Sequence, residues 1–236
     1  MSASRNLILL SLIIALVPLS GCGRSVNPAR TTPSSIGLPH IRSQSGDWRA
    51  KEERRCLALN LVKRTSFHIE RPSIDGPGRC GAIHPFRVTA AMNGRVALQP
   101  AALLRCEMIP ALDIWMATVV EPMAQRYYRM PVVELKVAAS YSCRGRNGIP
   151  GAKLSEHGHA NAIDISRFKL ADGRWISVKK DWWGSARDRT FLRQVHKGAC
   201  GVFTTVLGPL ADRYHRDHFH LDLARHGRKG TYHFCQ

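Results

Sequence analysis

The chain has 236 residues, 44% of them hydrophobic, which suits one good-sized globular domain with short accessory segments. This hydrophobic content excludes a chain that is disordered throughout. The formal net charge of +18 predicts attraction to polyanions such as nucleic acid, anionic lipid or an acidic cell-wall polymer. Because Lys and Arg are scattered rather than gathered in one tail, composition alone does not indicate a specific nucleic-acid site.

The first 21 residues have the pattern of an export signal. Arg5 is followed by an apolar run over residues 7–17, and a Leu-Ser-Gly-Cys sequence ends at Cys22. The run is shorter than the ~20 residues of a membrane-spanning helix, so residues 1–21 are predicted to be a secretory signal peptide. Leu-Ser-Gly-Cys resembles the bacterial lipobox, which implies a lipidated Cys22, a periplasmic location and, since Gly23 follows, an outer-membrane anchor. A plain signal peptide or an uncleaved anchor is the alternative.

Residues 22–47 are rich in Ser, Pro, Gly and Arg and predict a flexible tether, so the folded domain is expected over 48–236. Besides Cys22 there are six cysteines, an even number that fits three disulfides in an oxidising compartment. We favour the sequential pairing Cys56–Cys80, Cys106–Cys143 and Cys200–Cys235. Zinc bound by cysteines is the alternative, but the chain has no CxxC pair.

Hydrophobic periodicity predicts an α+β fold in which a small antiparallel sheet is backed by helices. Apolar spacing predicts helices over 110–128 and 187–197, and Pro100 is interpreted as the start of a helical stretch over 101–106. Turn sequences at 93–94 and 171–174 predict hairpins. Short apolar or alternating runs predict strands over 66–69, 86–90, 96–98, 131–142, 161–168, 175–178, 203–207 and 217–224.

Two distant stretches, residues 155–164 and 215–223, offer imidazoles and carboxylates. Strand alternation places Asp164 opposite its apolar neighbours, and it does the same for His220. If the two strands are neighbours, both side chains project from one sheet face, and His157 can close a triad from the preceding loop. Two imidazoles and one carboxylate are a catalytic zinc set that leaves a fourth position for water. Taken singly, each of these histidines could equally be an ordinary hydrogen-bonded residue.

The sequence at 155–164 reads SxHxxAxAxD and resembles the SxHxxGxAxD signature of the LAS zinc peptidases, with Ala160 in place of the usual Gly. That group includes lysostaphin-type enzymes, D-Ala-D-Ala peptidases and the hedgehog signalling domain. His218-x-His220 resembles the second motif of the group. With His215 it forms HxxHxH, as in penicillin-insensitive murein endopeptidases.

The resemblance implies three zinc ligands: His157, Asp164 and His220. Carboxypeptidase relatives have a Glu as base three residues before the last ligand, where this chain has Asp217. Alternation places Asp217 on the wrong face, so we favour His218 as base or transition-state donor, supported by His215, with Asp217 as the alternative. Arg144 matches an Arg that precedes the first motif in D-Ala-D-Ala peptidases, which implies binding of a substrate carboxylate or an oxyanion. A solvated loop Arg is the other interpretation.

From about residue 54 to the end, the chain resembles the bacterial extensin-like C-terminal family. The segments that carry this similarity are residues 140–144, 154–157, 199–203, 206–209 and 217–222. The favoured hypothesis is a monomeric, lipid-anchored zinc peptidase that acts on peptidoglycan, with the LAS/hedgehog-type fold. A non-catalytic, zinc-stabilised wall-binding module is the alternative. A nuclease is disfavoured because extra carboxylates are missing, so no nucleic-acid partner is expected. Trp182 and Trp183 could wall a substrate groove or pack in the core.

Overall fold

The computed structural model describes residues 47–236, so the predicted signal peptide, the lipidation site at Cys22 and nearly all of the predicted tether lie outside the described residues. The described chain is a mixed α/β structure. Its helices are α1 Trp48–Ala58, α2 Met108–Trp115, α3 Glu121–Tyr128, α4 Val178–Asp181 and α5 Ala186–Ala199, with a π-helical turn Met116–Val120 between α2 and α3. Within residues 47–236 no helix combines the length and apolarity that a bilayer crossing requires.

Nine strands form one sheet. They are β1 His68–Glu70, β4 Phe86–Ala91, β5 Val96–Leu104, β6 Val132–Ala139, β7 Ala162–Leu170, β8 Trp175–Ser177, β9 Thr205–Leu207, β10 Phe219–Asp222 and β11 Phe234–Cys235. Their order is β1-β4-β5-β6-β7-β10-β9-β11, and β8 pairs with the second half of β7, next to β10. A separate pair consists of β2 Ile74–Asp75 and β3 Gly81–Ala82. The predicted small antiparallel sheet is therefore wrong in size, and the β5–β6 and β9–β11 pairs are parallel.

The helical stretch predicted after Pro100 is wrong, because β5 continues as a strand to Leu104. Ala97 and Ala102 each pair with a residue of β4, whereas Pro100 has no partner there. A proline that lacks an N–H is tolerated at such a gap in a ladder. Alternating burial also marks the second half of β5 as strand, since Ala102 and Leu104 are buried and Leu103 between them is not.

The predicted helices over 110–128 and 187–197 are confirmed, and they pack on one face of the large sheet. Trp115 is fully buried between Phe168 and Phe203, with ring centroids 6.0 and 6.2 Å away. Its indole N–H donates to the Val195 carbonyl of α5 at 2.9 Å, so the indole has its polar partner. The helical layer thus seals one sheet face and leaves the other for polar residues of β7 and β10.

Three disulfides link the described chain: Cys56–Cys106, Cys80–Cys143 and Cys200–Cys235. The third pair is the predicted one, and the other two predicted pairs are wrong. Cys56 lies on α1, which the sequence did not predict, and this helix packs beside the end of β5. The turn-rich loop over 72–81 contacts the segment after β6 instead, with Gly76 close to Tyr141, so Cys80 meets Cys143.

Candidate metal centre

Asp164 of β7 and His220 of β10 are direct cross-strand partners. Asp164 Oδ1 lies 2.9 Å from His220 Nδ1. His157 Nε2 completes the group, 3.2 Å from Asp164 Oδ1 and 3.1 Å from His220 Nδ1. All three side chains are buried, and their facing atoms could hold one metal ion. The structure therefore brings together the three residues that the sequence singled out as ligands.

A short 3-10 turn, Glu156–His159, positions His157 ahead of β7. The Ser155 hydroxyl caps the turn by accepting a hydrogen bond from the His157 N–H. Ala160 ends the turn with φ of +52°, in the left-handed region. Glycine adopts this conformation without cost, which explains why the signature that this segment resembles has Gly there. The chain keeps the same turn with the smallest side chain.

Each ligand histidine has a hydrogen-bond partner behind it. The Ser140 carbonyl can only accept, so His157 Nδ1 donates to it, at 2.5 Å. The Asp222 carboxylate lies 2.9 Å from His220 Nε2 and also accepts from the Ala224 N–H. These contacts occupy the outer ring nitrogens, so His157 Nε2 and His220 Nδ1 face Asp164 and can bind a metal ion once they carry no proton, the arrangement usual for metal-binding histidines.

The electrostatics of the group also suit a cation. Burial would raise the pKa of Asp164, but hydrogen bonds from His157 and His220 outweigh it and hold that pKa far below its usual value. Burial would lower the pKa of His220, but hydrogen bonds to Asp164 and Asp222 raise it to about 10. The pocket thus stabilises positive charge between its carboxylates. A two-imidazole, one-carboxylate set can hold a divalent metal ion.

Two further imidazoles lie beside the triad, and each has a carboxylate behind it. His218 Nε2 is 3.6 Å from Asp164 Oδ2, and its Nδ1 is 2.8 Å from Asp217 Oδ1. His215 Nδ1 is 2.7 Å from Asp212 Oδ1, and burial lowers the pKa of His215 against the effect of Asp212. The structure therefore places His218 next to the ligands, while the half-exposed Asp217 lies behind it.

Sequence reasoning missed Asp212 and the contact that Asp222 makes. Alternation had placed Asp222 on the same face as His220, so part of its role was visible in the sequence. Asp212 lies in a loop before the histidine motif, where no strand or helix pattern indicates its role. The one sequence feature that could have suggested it is its position three residues before His215.

The triad forms part of the wall of a cleft of about 580 Å³. Arg144, Arg146 and Asn147 line the cleft from the loop before the metal stretch, and Tyr214 and Phe234 line it as well. Across the part of the chain that the structure describes, neither guanidinium forms an ion pair. The cleft therefore presents two cations and an aromatic surface to whatever binds there.

His159, an imidazole of the 155–164 stretch, and the two tryptophans considered as a groove wall do not belong to the triad. His159 is buried, and burial together with Arg49 lowers its pKa to about 4. Trp182 packs in the core, 5.8 Å from Phe219. Trp183 is 62% exposed and does not line the cleft. The groove-wall interpretation of the two tryptophans is therefore wrong.

Helix α1 supports the metal loop from behind. Arg49 forms an ion pair with Glu156, the residue before His157. The Arg49 Nε lies 2.9 Å from Glu156 Oε2. The Asn161 side-chain amide donates to the same carboxylate at 2.7 Å. Further along α1, the fully buried Glu53 accepts from Arg105 at 2.7 Å. The first helix is thus part of the structure that positions a ligand.

Comparison with known proteins places the chain in a family. No curated protein and no solved structure matches it significantly. The family model described as "Extensin-like protein C-terminus" matches residues 54–236, which include the triad, both flanking imidazoles and all three disulfides. The resemblance seen in the sequence segments is confirmed over this range. The chain therefore belongs to the extensin-like protein C-terminal family.

Proposed function

We propose that this protein is a zinc-dependent peptidase that hydrolyses amide bonds of peptidoglycan stem peptides or cross-links. The observation that carries the proposal is the buried triad His157, Asp164 and His220, which lines an open cleft beside two carboxylate-backed imidazoles. Three protein ligands are typical of catalytic zinc, whereas a structural zinc is closed by four.

The donor set fits zinc, because two imidazole nitrogens and one carboxylate oxygen converge. The other ring nitrogen of each histidine is already hydrogen-bonded, to the Ser140 carbonyl in His157 and to Asp222 in His220. When bound, zinc lowers the pKa of a coordinated water and polarises a carbonyl. His218 would accept the proton at Nε2, because Asp217 holds its Nδ1–H and leaves Nε2 as the acceptor. In this proposal Asp217 is a positioning residue, and His215 with Asp212 forms a second such pair.

The charges of the cleft support the proposed substrate class. Stem peptides carry free carboxylates. Arg144 and Arg146 line the cleft, and neither forms an ion pair with another of the described residues. A guanidinium can bind a carboxylate in a bidentate manner or stabilise an oxyanion. The similarity of the SxHxxAxAxD and HxxHxH sequences to LAS peptidases, which include murein endopeptidases, supports the same class of reaction. The predicted lipobox at Cys22 supports a periplasmic, membrane-anchored location.

Metal content and digestion of murein sacculi test the proposal together. We expect the purified full chain to bind one zinc and to change the muropeptide profile of sacculi. His157→Ala and His220→Ala should lose zinc. His218→Ala should keep zinc and lose activity by roughly 10²–10⁴-fold, the usual contribution of a general acid or base. His84→Ala, which alters a half-exposed histidine outside the cleft, is the matched control and should change neither property.

Zinc-loaded protein that leaves every muropeptide unchanged would refute the peptidase proposal. If that protein still bound sacculi, and did so equally well with His218→Ala, the wall-binding alternative would replace it. If the protein binds another divalent metal at full occupancy and no zinc, the choice of zinc is refuted, but the triad remains the metal site.

A further inference from the structure

One exposed surface of the protein combines several cations with a tryptophan. It consists of Lys179 and Lys180 on α4, Trp183 after α4, and Arg193 and Lys197 on α5, and we call it the α4–α5 basic surface. All five residues are exposed, and Trp183 is 62% exposed. The Arg193 guanidinium lies 5.9 Å from the Trp183 ring centre, so the aromatic and cationic parts are contiguous.

The positive charge of this surface is not neutralised locally. The two carboxylates of these helices, Asp181 and Asp188, are fewer than the four cations. Asp188 is also paired elsewhere, 3.5 Å from Arg174 Nη1. Among residues 47–236, none of the four cations of the surface forms an ion pair with a carboxylate. The surface therefore carries a net positive charge around an exposed indole.

Packing of the fold does not require these side chains. The buried residues of α5 lie on the opposite side of the helix and are Phe191, Leu192, Val195 and Ala199. Arg193 and Lys197 are four residues apart and so lie together on the outer side. Trp183 therefore exposes apolar area beside these cations and has no role in the core.

We propose that the α4–α5 basic surface docks on an anionic phospholipid bilayer. Tryptophan partitions to the boundary between headgroups and acyl chains. Each Lys or Arg near an anionic leaflet strengthens binding by about fivefold. The cations are spread over an exposed helical surface, outside the cleft, which suits the diffuse charge of a bilayer better than a single bound anion. This inference is independent of the proposed catalytic activity.

Docking would also orient the cleft. Successive side chains of a strand point to opposite faces. In β10, Phe219 packs on Trp182, beside the basic surface, whereas His220 faces Asp164 in the metal group. The α4–α5 basic surface and the triad are thus on opposite sides of the sheet. A molecule docked in this way would hold its cleft away from the bilayer.

Vesicle binding by the predicted mature chain, residues 22–236, tests the proposal, with Cys22→Ser in every variant so that neither lipidation nor the apolar signal peptide contributes. The vesicles are phosphatidylcholine alone or mixed with phosphatidylglycerol, and brominated lipid reports contact with tryptophan. We expect binding and quenching only with phosphatidylglycerol, and loss of most of the quenching with Trp183→Phe. Lys179→Glu with Lys180→Glu should weaken binding by about 30-fold or more, from about fivefold per cation.

Arg54→Glu with Arg55→Glu is the matched control, because it reverses two adjacent exposed cations on α1, which contacts the metal loop. It should weaken binding by about threefold or less, since charges away from the contact are screened. Equal losses in both double variants would overturn the proposal, as would equal binding to phosphatidylcholine alone. Loss of sacculus binding with unchanged vesicle binding in the α4 variant would assign the surface to a wall polymer and also overturn it.

Discussion

The two histidines of the triad present different ring nitrogens to it. His157 faces the group with Nε2 and donates from Nδ1 to a backbone carbonyl, whereas His220 faces it with Nδ1 and donates from Nε2 to Asp222. A backbone carbonyl is fixed by the fold, but Asp222 is a side chain and can be replaced. Asp222 therefore sets the tautomer of His220, and a substitution at Asp222 can test this role.

Asp222→Asn should lower zinc affinity by roughly 10–100-fold, as loss of such partners does in other metal sites. An amide binds the His220 N–H more weakly than a carboxylate does, and it can also present its own N–H to the ring. Competition with a chelator measures the change, and circular dichroism checks that the fold is retained.

Asp75→Asn is the control for this variant, since Asp75 is exposed on β2 and does not line the cleft. Its zinc affinity should equal that of the unaltered chain. An Asp222→Asn protein that competes for zinc as well as the control would show that Asp222 does not set the state of His220.

At the scale of elements, α5 approaches the π-helical turn between α2 and α3 at Gly198. A Cβ atom added at Gly198 would overlap Val119 Cγ1 and lie 2.9 Å from Val119 Cγ2. Valine is β-branched and has little freedom to rotate away. The glycine therefore sets how closely α5 packs against the π-helical turn.

Gly198→Ala should destabilise the protein by about 1–3 kcal/mol, the usual cost of overpacking. Helix propensity alone predicts the opposite sign, a gain of about 1 kcal/mol. Urea unfolding measures the difference. The double variant Gly198→Ala with Val119→Ala removes the overlap and should recover most of the loss, and a stabilised single variant would contradict the close approach.

For the whole molecule, α1 acts as a support that joins the metal loop to the end of β5. Glu53 is fully buried, accepts from the Ile83 and His84 N–H groups, and binds Arg105. The other carboxylate near Arg105 is Glu107, at 3.8 Å from Nε, and burial raises the pKa of Glu107 to about 7. Glu53 thus supplies most of the compensation for a buried cation.

Glu53→Gln should lower the free energy of unfolding by about 3–5 kcal/mol, because it leaves the Arg105 charge buried with a weak partner. Glu52→Gln is the matched control, as Glu52 is partly exposed and pairs with the exposed Arg225. That change should cost at most about 1 kcal/mol. Denaturant midpoints of the two variants give the comparison, and equal midpoints would contradict this role of Glu53.

Local patterns predicted the parts of this molecule that depend on local physics. Alternation placed Asp164 and His220 on the polar sides of their strands, and helical spacing placed Trp115 in the core. The pairing of Cys56 with Cys106 required α1, which has few apolar residues and a weak pattern. The course of β5 past Pro100 depended on β4 and β6 as neighbours. Such long-range contacts have no signature in a short window of sequence.

The C-terminal residues have a practical consequence for labelling the protein. Phe234 lines the cleft, and Gln236 bonds to the backbone of Val206 and Gly208. A fluorophore attached to Gln236 would therefore be held two residues from Phe234 in the cleft wall, close enough to interfere with whatever enters the cleft. The hairpin turn at Asp172 and Gly173 is exposed and does not line the cleft. A dye placed there would report on binding without obstructing it.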